Sequence, residues 1–362
     1  MKKFLLIILC ISFSQIGFSQ SNQEIYEQAF QDINCMLLKT CSASFEDAVF
    51  TVENAYFSNQ LEKEIFNKNI NFLAELSRQF IAYQEFVYAY PDKDEVVKYA
   101  ALFSVITDTV KVKVDTNKIV GLKPYTYDFN DIWGHDDWSN MFVTKLLETR
   151  KGNCHSLPYL YKIVADKIEA KTHIAVAPNH FYIKHKNKAN GWYNTELTSG
   201  IFPNDAWLMA SGYIHLDAIV NKLYMEALND DQMIALNIID LAKGYERKLG
   251  TLAQNEFILK CCDAALTVYP HYVNALLLKA ETKKKMFDAL MTKYNAQYPV
   301  DILNIPEAEK LFTEMTNLYA QIHEMGYRKM PEEMYLEWLV SLKDERNKYE
   351  NKEITKFKSP NH

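Results

Sequence analysis

Between Leu157 and Leu197 the apolar residues change period, and this change constrains the fold more than any other feature of the chain. Leu157, Leu160, Tyr161, Val164, Ala165 and Ile168 follow the i, i+3, i+4, i+7, i+8, i+11 spacing of a helix with one core-facing stripe. The segments "THIAVAP", "HFYIKH" and "WYNTEL" then alternate with a period of two, as strands do. The turn "KNKANG", ending in Asn-Gly, joins the last two strands into a hairpin. A helix followed directly by a small antiparallel sheet predicts an α+β core.

Elsewhere the 3.6-residue period dominates, and with only 10 glycines and 10 prolines in 362 residues the chain reads as mostly helical. "QEIYEQAFQDINCMLL" carries Ile25, Phe30, Ile33 and Leu37 on one face, and Ser44 with Asp47 resembles a capping box. "LEKEIFNKNINFLAELSRQFIAY" is a strong amphipathic helix, and Pro91-Asp92 is expected to end the next one. Residues 22 to about 115 are read as helices without chemistry, with Glu53 and Glu62 in solvent. "GLKPYTYDFNDIWGHDDWSN" is read as a loop, with Ser139 or Asn140 capping "MFVTKLLETR". His135, Asp136 and Asp137 are adjacent, and three consecutive side chains seldom converge on one ion, so they are read as loop or cap residues. From about Leu236 helices return in "LNIIDLAKGYERKLG", "QNEFILKCCDAALTVYP", "YVNALLLKAETKKKM" and, past an insertion, "LFTEMTNLYAQIHEMG".

The N-terminus carries Lys2 and Lys3, the short apolar run "FLLIILCISF", and the small residues Gly17 and Ser19. That pattern predicts a secretory leader over residues 1–19 with cleavage before Gln20, and it is too short for a membrane anchor. Removing Lys2 and Lys3 with it takes the formal net charge from −6 to −8. Such a balance disfavours nucleic acid or an anionic membrane as partner. An exported location, periplasmic or extracellular, follows. Five cysteines then remain, and an odd number leaves at least one free thiol. Cys35 and Cys41 are near enough to bridge across a turn, whereas the neighbours Cys261 and Cys262 pair with each other only under strain.

Cys154, in "RKGNCHSLPYLYKIVAD", stands at the start of the core helix. A lone cysteine there is commonly a packing residue. The helix N-terminus also favours a thiolate, and its free amides suit a developing oxyanion. Pro158, inside the first turn, removes one amide from the ladder and implies a tight entry that exposes the residues before it. His180, Tyr182 and Lys184 share one face of their strand, as do Trp192, Asn194 and Glu196 on theirs. A turn centred near Lys188 sets His180 opposite Glu196, and a slip of two sets it opposite Asn194. Either way an imidazole meets a polar acceptor. A thiol, an imidazole to take its proton and a third group to orient the ring are what nucleophilic acyl transfer requires. His155 is expected at the surface or one layer behind the cysteine. Asn179 is expected to set the turn before His180, and Trp192 to lie in the core. His173 and His185 are read as structural, without an evident partner.

The stretch from about Asn140 to Asp205, above all "G-N-C-H-S-L-P-x-L-Y", resembles the transglutaminase-like superfamily, circularly rearranged relatives of papain-type cysteine proteases. The resemblance implies a triad of Cys154, His180 and Glu196. The third member is more often Asp in that family, and here it is Glu196 with Asn194 close by as an alternative orienting group. Ala265, Pro270 and Ala280 resemble about one and a half tetratricopeptide repeats, fewer than a free-standing solenoid needs. The expected organisation is a leader (1–19), an N-terminal helical region (20–125), a transglutaminase-like core (126–225), a tetratricopeptide-like region (226–350) and a frayed polar tail (351–362). The expected function is hydrolysis of an amide or peptide bond through a Cys154 thioester, on a peptide or protein substrate, with no metal or cofactor. The alternative is an inactive version of the fold that binds a protein or peptide, with the C-terminal helices as a partner surface.

Overall fold

The computed structural model of the chain describes residues 22–115, 118–345 and 357–358. The expected leader and its cleavage site lie outside these residues, as does the expected tail apart from Phe357–Lys358. The chain is α+β and mostly helical, with small sheets of two and three strands. No helix among the described residues is long and apolar enough to cross a membrane.

One compact unit joins residues 22–61 to residues 230–327. Its helices are α1 (22–37), α2 (Phe45–Tyr56), α9 (Asp230–Leu249), α10 (Asn255–Val268), α11 (Val273–Lys293) and α12 (Pro306–Glu324). From α9 onward each helix packs on the next, and α2 packs on α9. Edge-to-face rings of Tyr26, Tyr245 and Phe257 fill one part of the core. Phe287, Leu290, Ile302, Ala308 and Leu311 fill another, and Ile302 comes from the expected insertion. Ser44 accepts from the Asp47 amide at 3.1 Å and caps α2, as its spacing suggested. Cys35 and Cys41 form a disulfide across the turn that ends α1. Cys154, Cys261 and Cys262 are free and buried. Glu53, expected in solvent, is buried on α2.

The other unit joins residues 62–229 to the described residues that follow Tyr327. Its helices are α3 (Lys63–Tyr83), α4 (Lys93–Thr107), α5 (Val143–Thr149), α6 (Ser156–Lys167), α7 (Asp205–Ser211), α8 (Leu216–Val220) and α13 (Glu332–Glu345). Its strands are β1 (Glu85–Phe86), β2 (Val110–Asp115), β3 (Lys118–Leu122), β4 (Thr126–Tyr127), β5 (Lys151–Gly152), β6 (His173–Ala177), β7 (His180–Asn187), β8 (Gly191–Thr195) and β9 (Phe357–Lys358). The order β6-β7-β8 makes an antiparallel sheet, and β4 pairs with β5 in parallel. The helical stripe read from Leu157 to Ile168 is buried, but so are Tyr159, Lys162 and Ile163 between its members. Helices α3, α4 and α5 all pack on α6, which also touches β6 and β7, so it has almost no solvent face.

Four local expectations are corrected. Val110–Asp115 and Lys118–Leu122 pair as the antiparallel strands β2 and β3 rather than forming helix followed by loop. Pro91-Asp92 precedes α4 instead of ending a helix, with Asp92 at its N-cap. That agrees with the tolerance of helix starts for a preceding proline. Neither Ser139 nor Asn140 caps α5; both lie in the short 3-10 turn Trp138–Met141, which Asp137 caps. The insertion after α11 is shorter than expected, because "PEAEK" already belongs to α12.

Candidate active site

Four residues before α6 turn the chain so that Cys154 projects from its start. The backbone passes from β5 through Gly152, where an added Cβ would lie 2.4 Å from Ser156 Oγ and 2.8 Å from Leu146 Cδ1. Asn153 Oδ1 then accepts from the amides of His155 at 2.9 Å and Ser156 at 3.2 Å, while Ser156 Oγ accepts from the Asn153 amide at 3.1 Å. These bonds satisfy helix-start amides that would otherwise be orphaned. They leave Cys154 at the tip of the bend, with Pro158 inside the first turn of α6.

The opposite wall comes from the sheet. Ala177 pairs with His180 across the two-residue turn Pro178-Asn179, and Asn179 adopts φ +57°, a left-handed conformation that Asn tolerates. Asn179 therefore sets the turn, as expected. Its carbonyl also lies 3.6 Å from Cys154 Sγ. His180 opens β7 and is buried. Its Nε2 is 2.6 Å from Glu196 Oε2, and its Nδ1 is 3.2 Å from the hydroxyl of Tyr335 on α13. That hydroxyl donates to Cys154 Sγ at 3.2 Å.

The register of the hairpin differs from both expected ones. Lys184 pairs with Asn194 and Asn187 with Gly191, so the turn centres on Ala189 rather than Lys188. Pairing stops at Thr195, and Glu196 reaches His180 diagonally, along the shared face rather than straight across. A backbone lap holds Glu196: its amide and carbonyl pair with Ile201, and its Oε1 accepts from the Thr198 amide at 2.8 Å.

An imidazolium satisfies this geometry fully, because both ring nitrogens then donate, one to Glu196 and one to the Tyr335 oxygen, whose own proton points to sulfur. Burial by itself would lower the basicity of His180, but the Glu196 charge and the pairing with Cys154 push it up to about 10. Burial would raise the Cys154 thiol, yet the hydrogen bond and charge of His180 outweigh it and hold the thiol below its ordinary range. Tyr335 and His155 act in the same direction on the sulfur. The pair can therefore exist as thiolate and imidazolium, the charge state of an activated nucleophile.

The other candidate residues fall as follows. His155 lies one layer behind Cys154, its Nδ1 2.9 Å from the Met141 carbonyl and its ring against Tyr159 and Phe181. Asn194 does not orient the imidazole; its amide donates to the Pro203 carbonyl and to Asp205. Trp192 is not in the core: it is 44% exposed at the turn end of β8, against His173 and Lys186. His173 and His185 do have partners, the Leu228 carbonyl at 2.8 Å and Thr195 Oγ1 at 2.9 Å. In the Asp-rich loop, Asp131 accepts from the amides of His135 and Asp137, and the Asp137 carboxylate holds Lys145.

Tyr335, Trp338 and Tyr127 escaped the sequence reading. Trp338 stands edge-on to His180 at 4.7 Å, and burial together with the Cys154 charge drives the Tyr127 phenol far up. The spacing of Tyr335, Trp338, Leu339 and Leu342 is that of one helical stripe, which the sequence does display. What that stripe covers is not encoded in its period. Compared with known proteins, the chain matches no family model, no curated protein and no solved structure.

Proposed function

We propose that the chain is an exported thiol-dependent acyl-transfer enzyme that hydrolyses an amide or peptide bond. The observation that carries this reading is the placement of His180, with one nitrogen 2.6 Å from the Glu196 carboxylate and the other linked to Cys154 Sγ through one hydroxyl. The Cys154 thiolate attacks the carbonyl carbon and an S–C bond forms. As the tetrahedral adduct collapses the C–N bond breaks, and the imidazolium of His180 gives its proton to the departing amine. Water, deprotonated by the now neutral His180, attacks the thioester and releases the acid and the thiol. Glu196 keeps the ring oriented and balances its charge in both steps.

A transglutaminase-like core is the finer fold reading. It is supported by a cysteine at the start of a buried helix, a histidine opening a strand and an acid just past the next strand. The serial packing from α9 to α12 supports a tetratricopeptide-like helical region. The Cys35–Cys41 disulfide supports export, since such bonds persist in oxidising compartments.

One observation favours the alternative of a non-enzymatic binding module: Cys154 is only 9% exposed and a phenol fills the space beside it. The rate of Cys154 alkylation by iodoacetamide, followed from pH 5 to pH 10 in the protein and in His180→Ala, separates the two. Labelling whose pH profile rises below that of an ordinary thiol near 8.5, and that moves up in His180→Ala, is expected for the enzyme. An ordinary profile indifferent to His180 leaves the binding module.

A further inference from the structure

This inference rests on the reading of Cys154 and His180 as nucleophile and proton carrier, and concerns how their site is controlled. An acyl group reacts only when its carbonyl carbon comes within about 3–3.5 Å of the sulfur and its leaving atom within hydrogen-bond reach of the imidazole. That space is taken. The Tyr335 oxygen lies 3.2 Å from Cys154 Sγ and 3.2 Å from His180 Nδ1, so it stands where the reacting group must stand.

The plug is not a stray side chain. The Tyr335 ring packs on Trp133 at 4.9 Å, and one helical turn later Trp338 covers His180 while its Nε1 donates to Ser211 Oγ at 3.0 Å. Leu339 and Leu342 complete the buried stripe of α13. A cavity of about 530 Å³ is lined by Tyr125, Tyr127, Phe129, Leu197 and Ser199, with neither Cys154 nor His180 in its wall. Helix α13 adds no strand to the β6-β7-β8 sheet, and it follows a stretch without regular structure at 327–331. One stripe of side chains covers the site, and beyond α13 the short strand β9 pairs with β1.

We propose that α13 is an intramolecular latch, which occupies the acyl site with Tyr335 and Trp338 and must lift before a substrate can reach Cys154. The closed form keeps the sulfur charged and ready while denying access to it. Activity then depends on the population of the open form.

The test is iodoacetamide labelling of the full chain at pH 7, read cysteine by cysteine by peptide mass spectrometry. Exchange of the α6 amides reports unfolding of the unit that holds Cys154, whereas Cys261 and Cys262, buried and free on α10, report the other unit. In the unmodified protein Cys154 is expected to label slowly, yet faster than the α6 amides exchange. Tyr335→Ala and Trp338→Ala are each expected to speed Cys154 by about 10-fold or more, with exchange of the α6 amides unchanged. Labelling of Cys154 that is equally fast with and without the substitutions overturns the latch. So does labelling of Cys154 that is no faster than the exchange of the α6 amides. Should either variant not fold, hydrogen exchange of the unmodified chain decides: amides of 332–345 exchanging ahead of those of α6 support the latch, and simultaneous exchange overturns it. Faster labelling in the variants that ignores a further His180→Ala change upholds the latch and overturns the acyl-transfer reading, so the two fail separately.

Discussion

His180 and His185 stand five residues apart on β7, on opposite faces, and the fold drives them to opposite charge states. His180 meets a carboxylate and a sulfur and is raised to about 10. His185 is enclosed by Tyr99, Tyr161 and Tyr193, and burial, helped by the charge of His173, lowers it to about 3. Nothing in "HFYIKH" separates the two rings; the separation comes from the alternation of faces and from what each face meets. A consequence for stability follows at this scale. The unfolded chain protonates His185 near 6.5 and the folded chain only near 3, so unfolding takes up a proton between those values and stability falls as pH drops through the window. In His185→Gln the slope of unfolding free energy between pH 6 and 4 is expected to flatten by about one proton, roughly 1.4 kcal/mol per pH unit. Urea titrations at several pH values check it, and an unchanged slope would mean that the buried ring is charged.

At the scale of elements, the bend from β5 into α6 decides where the sulfur points. It needs close approach at Gly152, whose missing side chain admits Ser156 and Leu146. Gly152→Ala is expected to cost roughly 1–3 kcal/mol by overpacking and to slow Cys154 alkylation by displacing the bend. A urea midpoint and a labelling rate equal to those of the unmodified protein would show that the bend tolerates a Cβ. The helix and the hairpin were legible in the sequence because each carries its own period and turn residues. The hairpin register was not, since "KNKANG" permits several closures and the sheet's packing selected the one centred on Ala189. The β2–β3 pairing was also missed, although "VKVKVD" alternates Val and Lys with the period of two that marks a strand.

For the molecule as a whole, each compact unit joins segments far apart in sequence, whereas a reading along the chain can divide it only at points such as 125/126 and 225/226. The segment 126–225 holds Cys154, His180 and Glu196 but lacks α3 and α4, which pack on α6, and α13, which covers the pair. Expressed alone, the fragment 126–225 is expected not to fold cooperatively, because α6 would lose two of its buried faces. Far-UV circular dichroism with thermal melting checks this, and a sharp transition would show that α3 and α4 are dispensable. The sequence by itself determined the helix that begins just after Cys154, the strand that His180 opens and the strand that ends just before Glu196. Those features are local, set by period, capping and turn residues a few positions apart. Only the tertiary structure decided that Glu196 rather than Asn194 meets the imidazole, that Trp192 stays at the surface, and that Tyr335, 181 residues after Cys154, rests its hydroxyl on the sulfur. Contacts at such separation depend on how apolar faces find one another, and a helical stripe encodes that it will be buried but not against what.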